Sequence, residues 1–255
     1  MNLTILTGTS RGLGAAMAEQ LLQADSVVLG ISRHANERLA AKAQAMQLRF
    51  DQWTRDLSDP APVAEQIELY LGAFDPARFD EVALINNAGV LTRIGPLDVC
   101  SSAELSAALR VGLEAALLLT AAFLRATQGW RARQQRRCKV LNISSGLGRR
   151  AMAGSAPYCA AKAGMDHFSR AVALDEALRS GGGAKIVSLA PGVIDTDMQV
   201  HLRAADASGF PDQSMFTDLK AKGQLATPHD AAARVLAYLR HTDFGVNPVA
   251  DVRDA

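Results

Sequence analysis

A chain of 255 residues is long enough for one sizeable α/β unit with a well-buried core. Its 27 Lys and Arg nearly cancel its 26 Asp and Glu, and a net charge of +1 leaves no global field to hold nucleic acid or an acidic membrane surface. Apolar residues make up 49% and aromatic ones 5%, a balance suited to helices packed on a sheet. Cys100, Cys138 and Cys159 are odd in number and lack metal-ligand spacing, so free thiols in a reducing compartment and no metal site are expected. No signal peptide is read at the start and no apolar run is expected to reach membrane-spanning length, which together read as a cytoplasmic protein.

In chain order, Leu3–Leu6 predicts a first strand, running into Thr7-Gly8-Thr9-Ser10-Arg11-Gly12-Leu13-Gly14 and a helical pattern over Ala15–Gln23. Strand, glycine-rich turn and helix form the context of a dinucleotide fingerprint, although three glycines alone also suit a plain βα turn. Ser26–Ile31 predicts the second strand, followed by Arg33 where an acid would favour a 2′-hydroxyl. Arg33 with Arg11 suits a 2′-phosphate instead, hence NADP(H). A helix over Asn36–Met46 leads to a third strand over Leu48–Trp53, then Asp56 and Leu57, with Asp56 either an acceptor for an adenine amine or a loop cap. After a helix at Ala61–Phe74, the strand Glu81–Ile85 delivers Asn86-Asn87-Ala88-Gly89, small and amide residues that either admit a ribose or simply form a turn.

Ala103–Arg125 predicts one long helix, apolar nearly all round and interrupted only by Gly112. The following segment, Thr127–Lys139, carries Arg131, Arg133, Arg136 and Arg137 and reads as a solvated connection. Val140–Ile143 is the fifth strand, Tyr158–Arg179 a long helix closed by Gly181-Gly182-Gly183, and Lys185–Ala190 the sixth strand. His201 to Gly223, within a broader lid at about 197–225, reads as a mobile cover for a substrate. Thr227–Arg240 predicts a capped helix and Asn247–Val252 an edge strand. The alternation makes a single doubly wound Rossmann-type domain over 1–255, with a mostly parallel seven-stranded sheet and helices on both faces.

The stretch from Asn142 to Lys162 carries the chemistry. Lys162 lies one helical turn beyond Tyr158, on the same face, and Ser144 and Ser145 end the strand upstream. An ammonium beside a phenol favours the phenolate, and bringing a phenol from near pH 10 to neutrality needs roughly 4 kcal/mol. A serine hydroxyl near the phenol oxygen would hold a carbonyl while hydride reaches its carbon.

Taken together, the segments resemble the short-chain dehydrogenase/reductase family over nearly the whole length. Thr7-Gly8-(x)3-Gly12-x-Gly14, Asn86-Asn87-Ala88-Gly89, Ser145, Tyr158-(x)3-Lys162 and Pro191-Gly192-(x)3-Thr196 carry the resemblance, in family order. It implies Ser145 as the orienting serine, Tyr158 as acid/base, and Lys162 as the residue that lowers its pKa and holds the nicotinamide ribose. It also implies cofactor contacts at Gly8, Ser10, Arg11, Gly12, Leu13, Gly14, Arg33, Asp56, Leu57, Asn87, Ala88, Gly89, Pro191, Gly192, Val193 and Thr196. Many family members have an Asn where Val111-Gly112-Leu113 stands here, so no catalytic role is carried to Gly112. Within the family, Ile31-Ser32-Arg33 and Pro191 to Gln199 look like the sepiapterin reductase branch and its bacterial benzil reductases, which reduce a vicinal dicarbonyl with NADPH. That implies a dicarbonyl or pterin substrate against Ser145, Met198 and Asp251, with Asp251 either a pterin anchor or an edge-strand surface acid. Self-association into a homodimer or homotetramer through the two long helices is also implied. A reductase of 3-oxoacyl thioesters and a non-catalytic NADP(H) sensor stand as the alternatives.

Overall fold

The computed structural model describes residues 1–130, 137–180 and 182–254. Seven strands, β1 (Asn2–Thr7), β2 (Ser26–Ser32), β3 (Arg49–Thr54), β4 (Glu81–Asn86), β5 (Arg137–Ile143), β6 (Lys185–Ala190) and β7 (Val249–Asp251), form one sheet in the order β3-β2-β1-β4-β5-β6-β7. Every pairing is parallel, the edge strand β7 included. The expected Rossmann-type architecture is therefore present, fully rather than mostly parallel. The order reverses between β1 and β4, which opens a crevice beyond their carboxyl ends.

Side chains alternate across the strands and supply one core on each face. Leu3 and Ile5, Val27 and Leu29, and Leu84 pack with α3 (Ala61–Gly72) and with Leu119 and Phe123 from the fifth helix. Leu6, Val28, Ile85 and Leu141 face α1 (Gly12–Leu21) and the last helix through Met17, Val235 and Leu236. Local chemistry starts the helices where tertiary packing needs them. Asn36 caps α2 (Glu37–Ala45) by accepting from the Leu39 N–H at 3.0 Å. Ser101 and Glu104 form a capping box at the start of α4 (Ser102–Leu109).

The stretch read as one long helix is three pieces. α4 gives way to a π turn at Arg110–Glu114 and continues as α5 (Ala115–Ala126). A Cβ on Gly112 would lie 3.1 Å from the Cβ of Ala161, so a tight crossing with the next helix sets the bulge. A second expectation is also corrected: Ser102–Ala126, with a mean hydropathy of 1.8, is long and apolar enough to cross a membrane. Here Ala115, Leu119, Ala122 and Phe123 spend that apolarity on the sheet.

α6 (Ala156–Ala177) starts two residues before Tyr158, because Pro157 occupies its first turn. Gly182 follows it at φ +90°, while Gly181, Arg131, Arg133 and Arg136 lie outside the described residues. The segment expected as a lid contains α7 (Asp197–Arg203) and α8 (Gln213–Ala221). Leu202, Phe210 and Phe216 bury themselves there against Met152, a third apolar cluster separate from the two faces of the sheet. Thr227 caps α9 (Pro228–Arg240) as expected.

Candidate active site

Glycine chemistry builds one end of the crevice. Gly8 and Gly12 have φ of +77° and +57°, in the left-handed region that glycine tolerates. A Cβ on Gly14 would stand 2.1 Å from the Gly8 carbonyl oxygen, so loop and helix close to a distance only glycine allows. The loop is locked to β4: Thr7 Oγ1 accepts from the N–H groups of Asn87 and Ala88 at 2.9 Å each, and Asn87 Nδ2 donates to the Thr7 carbonyl at 2.9 Å. No acidic side chain sits in the first turn of α1, and Arg11 at its N-cap makes no side-chain cap, so its first N–H groups remain available to an anion.

These loops, the C-terminal ends of β4, β5 and β6, and α7 enclose a cavity of about 710 Å³. Every residue expected to contact cofactor or substrate lines it: the glycine loop, Arg33, Asp56, Leu57, Asn87 to Gly89, Ser145, Tyr158, Lys162, Pro191 to Val193, Thr196, Met198 and Asp251.

At the catalytic end, β5 delivers two serines to different tasks. Ser144 is buried and donates to Asp166 Oδ1 at 2.6 Å, while the Ser145 hydroxyl accepts from the Leu147 N–H at 3.2 Å and lines the cavity with Tyr158. Lys162 is buried, donates from Nζ to the Ile143 carbonyl at 2.6 Å, and lies over the Tyr158 ring, 5.6 Å from its centroid. One turn on, Asp166 also accepts from Ser188 Oγ at 2.6 Å and pairs with Arg149 Nε at 3.2 Å. A buried carboxylate thereby staples α6 to β5 and β6 directly below the Tyr–Lys pair.

The electrostatics correct one expectation. Burial pushes the Tyr158 phenol up to about 12, against the nearby Ser145 hydroxyl that lowers it, although Tyr158 is not fully buried and lines the cavity. Burial likewise brings Lys162 down to about 8, with the Asp166 carboxylate pulling the other way. In this state desolvation dominates both groups, so the phenol lies above rather than below its ordinary value.

The family model described as short chain dehydrogenase matches residues 2–207. The chain belongs to the short chain dehydrogenase family. It is 32% identical over 244 residues to a benzil reductase ((S)-benzoin forming) of Bacillus cereus, covering 96% of each chain. It is 29% identical over 262 residues to a sepiapterin reductase of Rattus norvegicus, covering 98% of this chain and 95% of that one. Its fold superposes on a metagenomic short-chain oxidoreductase in complex with NADP at a TM-score of 0.71, with 26% identity over 98% of this chain and 94% of that one.

Within this short chain dehydrogenase, several side chains have different tasks from those expected. Arg11 pairs with Asp197 at 2.9 Å, between two exposed side chains, and joins the glycine loop to the start of α7. The reading of Arg11 as a free companion to Arg33 is corrected to that extent. Arg55, which the sequence reading passed over, lines the cavity with Arg33, and its backbone N–H donates to the Ser32 carbonyl at 2.9 Å. Its guanidinium donates to Gln66 Oε1 at 3.0 Å and to the Thr54 carbonyl at 2.9 Å, leaving one nitrogen without a protein partner among the described residues. Asp56 caps its own loop through the Ser58 N–H at 2.9 Å; that bond, and behind it the Arg33 charge, hold its carboxyl below the usual range. Asp251 is buried rather than a surface acid, and its carboxylate is taken by Arg253 in a two-pronged pair at 2.8 and 2.6 Å. Ser155 and Gln199, also passed over, line the cavity. The sequence signal for Ser155 was its place one turn ahead of Tyr158.

Proposed function

We propose that the chain is an NADPH-dependent carbonyl reductase that converts one ketone of a vicinal dicarbonyl, such as an aromatic α-diketone, to the alcohol. The observation that carries this reading is the placing of Ser145, Tyr158 and Lys162 together, with Lys162 over the Tyr158 ring, in the cavity that also contains the glycine loop. The Gly14 approach and the open N–H groups of α1 fit a pyrophosphate, and Arg33 with Arg55 fits a 2′-phosphate. Bound NADPH supplies the hydride.

The protein's own groups do the rest. The Ser145 hydroxyl donates to the substrate carbonyl oxygen and holds it near the phenol. A phenol at about 12 stays protonated at neutral pH, the form that reduction requires, and Tyr158 transfers its proton to the oxygen as negative charge develops there. Lys162, near 8, stabilises the tyrosinate left behind. Leu91, Met152, Met198, Leu202 and Phe216 supply an apolar wall suited to aryl groups. Asp251 also lines the cavity, with its carboxylate paired to Arg253. The helical segment over 197–225 serves as the substrate cover, and the chain works in the cytoplasm.

Mixing protein, NADPH and benzil and following the nicotinamide absorbance tests the proposal. Consumption of NADPH with formation of benzoin supports it; no turnover of any α-diketone, with NADPH bound, overturns it.

A further inference from the structure

Asp166 is a charge in a place where charge is unfavourable. It is 1% exposed and sits on α6, one turn beyond Lys162 and two beyond Tyr158, behind the cavity rather than in its lining. Burying a carboxylate is costly unless its oxygens are well partnered, and a well-packed apolar residue in its place is often as stable or more so. Stability alone therefore does not account for it.

Its two oxygens grip the chain on either side of Ser145. Oδ1 accepts from Ser144 Oγ, on the preceding residue, at 2.6 Å, and from Ser188 Oγ of β6, also at 2.6 Å. Oδ2 pairs with Arg149 Nε at 3.2 Å, just past the short turn Gly146–Gly148 that Ser145 caps through the Leu147 N–H. That turn lies directly on the carboxylate. A Cβ on Gly148 would fall 2.8 Å from Asp166 Oδ2 and 2.9 Å from the Lys162 carbonyl oxygen. Arg149 Nη2 reaches onward to the Ala250 carbonyl at 2.7 Å, next to Asp251 in the cavity wall. The helix bearing Tyr158 and Lys162 and the segment bearing Ser145 thus meet at one carboxylate.

We infer that Asp166 is a positioning residue for the reduction, holding the Ser144–Arg149 segment so that the Ser145 hydroxyl and the Tyr158 phenol converge on one substrate oxygen. The inference rests on the carbonyl-reductase reading and adds to it a residue outside the cavity. A donor aimed at a developing charge contributes most when it is fixed before the substrate arrives, and an ångström of misplacement is enough to lose about a hundredfold in rate. A carboxylate suits this task because its two oxygens take separate partners, so one group fixes both the approach to Ser145 and the turn after it.

Asp166→Ala and Ser144→Ala, each made in the unmodified protein and in Ser145→Ala, test this with benzil and NADPH. In the unmodified protein Asp166→Ala should lower kcat about tenfold or more, and Ser144→Ala, which keeps the carboxylate and its other partners, by less. NADPH affinity should be unchanged, because the glycine loop is not involved. Asp166→Asn, which keeps an oxygen for the two serines, should recover part of the lost rate. In Ser145→Ala, followed at high enzyme concentration, both substitutions should have almost no further effect, since a residue that acts through the serine then has nothing to position. Equal fold losses in the two backgrounds, or an unchanged kcat with only a lowered melting temperature, overturn the inference and leave Asp166 a structural charge. Should Asp166→Ala fail to fold, the Ser144→Ala cycle decides between the same outcomes. Absence of turnover of any α-diketone by the unmodified protein, with NADPH bound, is a different result: it overturns the reductase reading itself and the positioning role with it.

Discussion

Lys162 Nζ donates to the backbone carbonyl of Ile143 at 2.6 Å, and this bond ties the Tyr–Lys helix to the end of β5. Ile143 directly precedes the two serines, so the amine on one element sets the height of the hydroxyl on the other. The same bond keeps the ammonium against the face of the Tyr158 ring.

Lys162→Met should remove a pH-dependent penalty on the stability of the cofactor-free protein. Burial lowers the folded-state value to about 8 from 10.5, so between these limits the unfolded chain binds more protons and stability rises with pH. The lysine therefore destabilises fully below about 8 and progressively less above it. Each unit of displacement corresponds to roughly 1.4 kcal/mol at most. Chemical denaturation at pH 7.5 and 9.5 should show the unmodified protein gaining on the variant; a constant difference refutes the depressed value.

Tyr158→Phe should reduce ketone turnover by at least about a hundredfold while leaving dinucleotide affinity nearly unchanged, since general acid catalysis contributes roughly that much. The raised phenol adds a direction. Tyr158, at about 12, stays protonated throughout pH 6 to 9, so reduction should decline only as Lys162 loses its charge near 8, whereas oxidation of the alcohol should climb with pH as the phenolate becomes available. Equal pH profiles in the two directions would be the wrong result.

Gly14→Ala should destabilise the fold by at least about 1–3 kcal/mol, the usual cost of forcing an extra carbon into packed surroundings. The new Cβ falls 2.1 Å from the Gly8 oxygen and 2.5 Å from Asn87 Nδ2, so the glycine loop has to move. Thermal unfolding and dinucleotide titration should report the loss together. A fully stable variant with unchanged affinity would mean that loop and helix adjust freely.

Arg33→Gln and Arg55→Gln should each weaken NADPH binding by about tenfold or more, the worth of a charge-assisted hydrogen bond, and leave NADH binding almost untouched. Asp56 stands close enough to Arg33 for the two charges to interact, so Arg33 alone leaves this end nearly neutral and Arg55 restores a net positive charge. Titration with 2′,5′-ADP measures the effect without catalysis. If Arg11→Ala weakens it and Arg55→Gln does not, the second guanidinium is Arg11 after all, released from Asp197.

Much of this protein was legible along the chain. Continuous apolar runs marked the five inner strands, since a parallel strand buried on both faces needs apolar residues throughout, while the edge strands β3 and β7 showed themselves by position in the βα alternation. The spacing of Gly8, Gly12 and Gly14, and of Tyr158 and Lys162, is local geometry, and a four-residue interval on a helix has the same meaning wherever the helix lies. Those features the sequence determined by itself.

Tertiary structure decided the rest, because each case depends on a partner distant in the chain. Arg11 meets Asp197 across 186 positions, and Gly112 meets Ala161 at the crossing that sets the π turn. Asp251 is two residues from Arg253, yet its burial depends on β7 joining β6. Whether Tyr158 is acidified or raised likewise depends on how much protein surrounds it, a quantity that no interval between residues encodes.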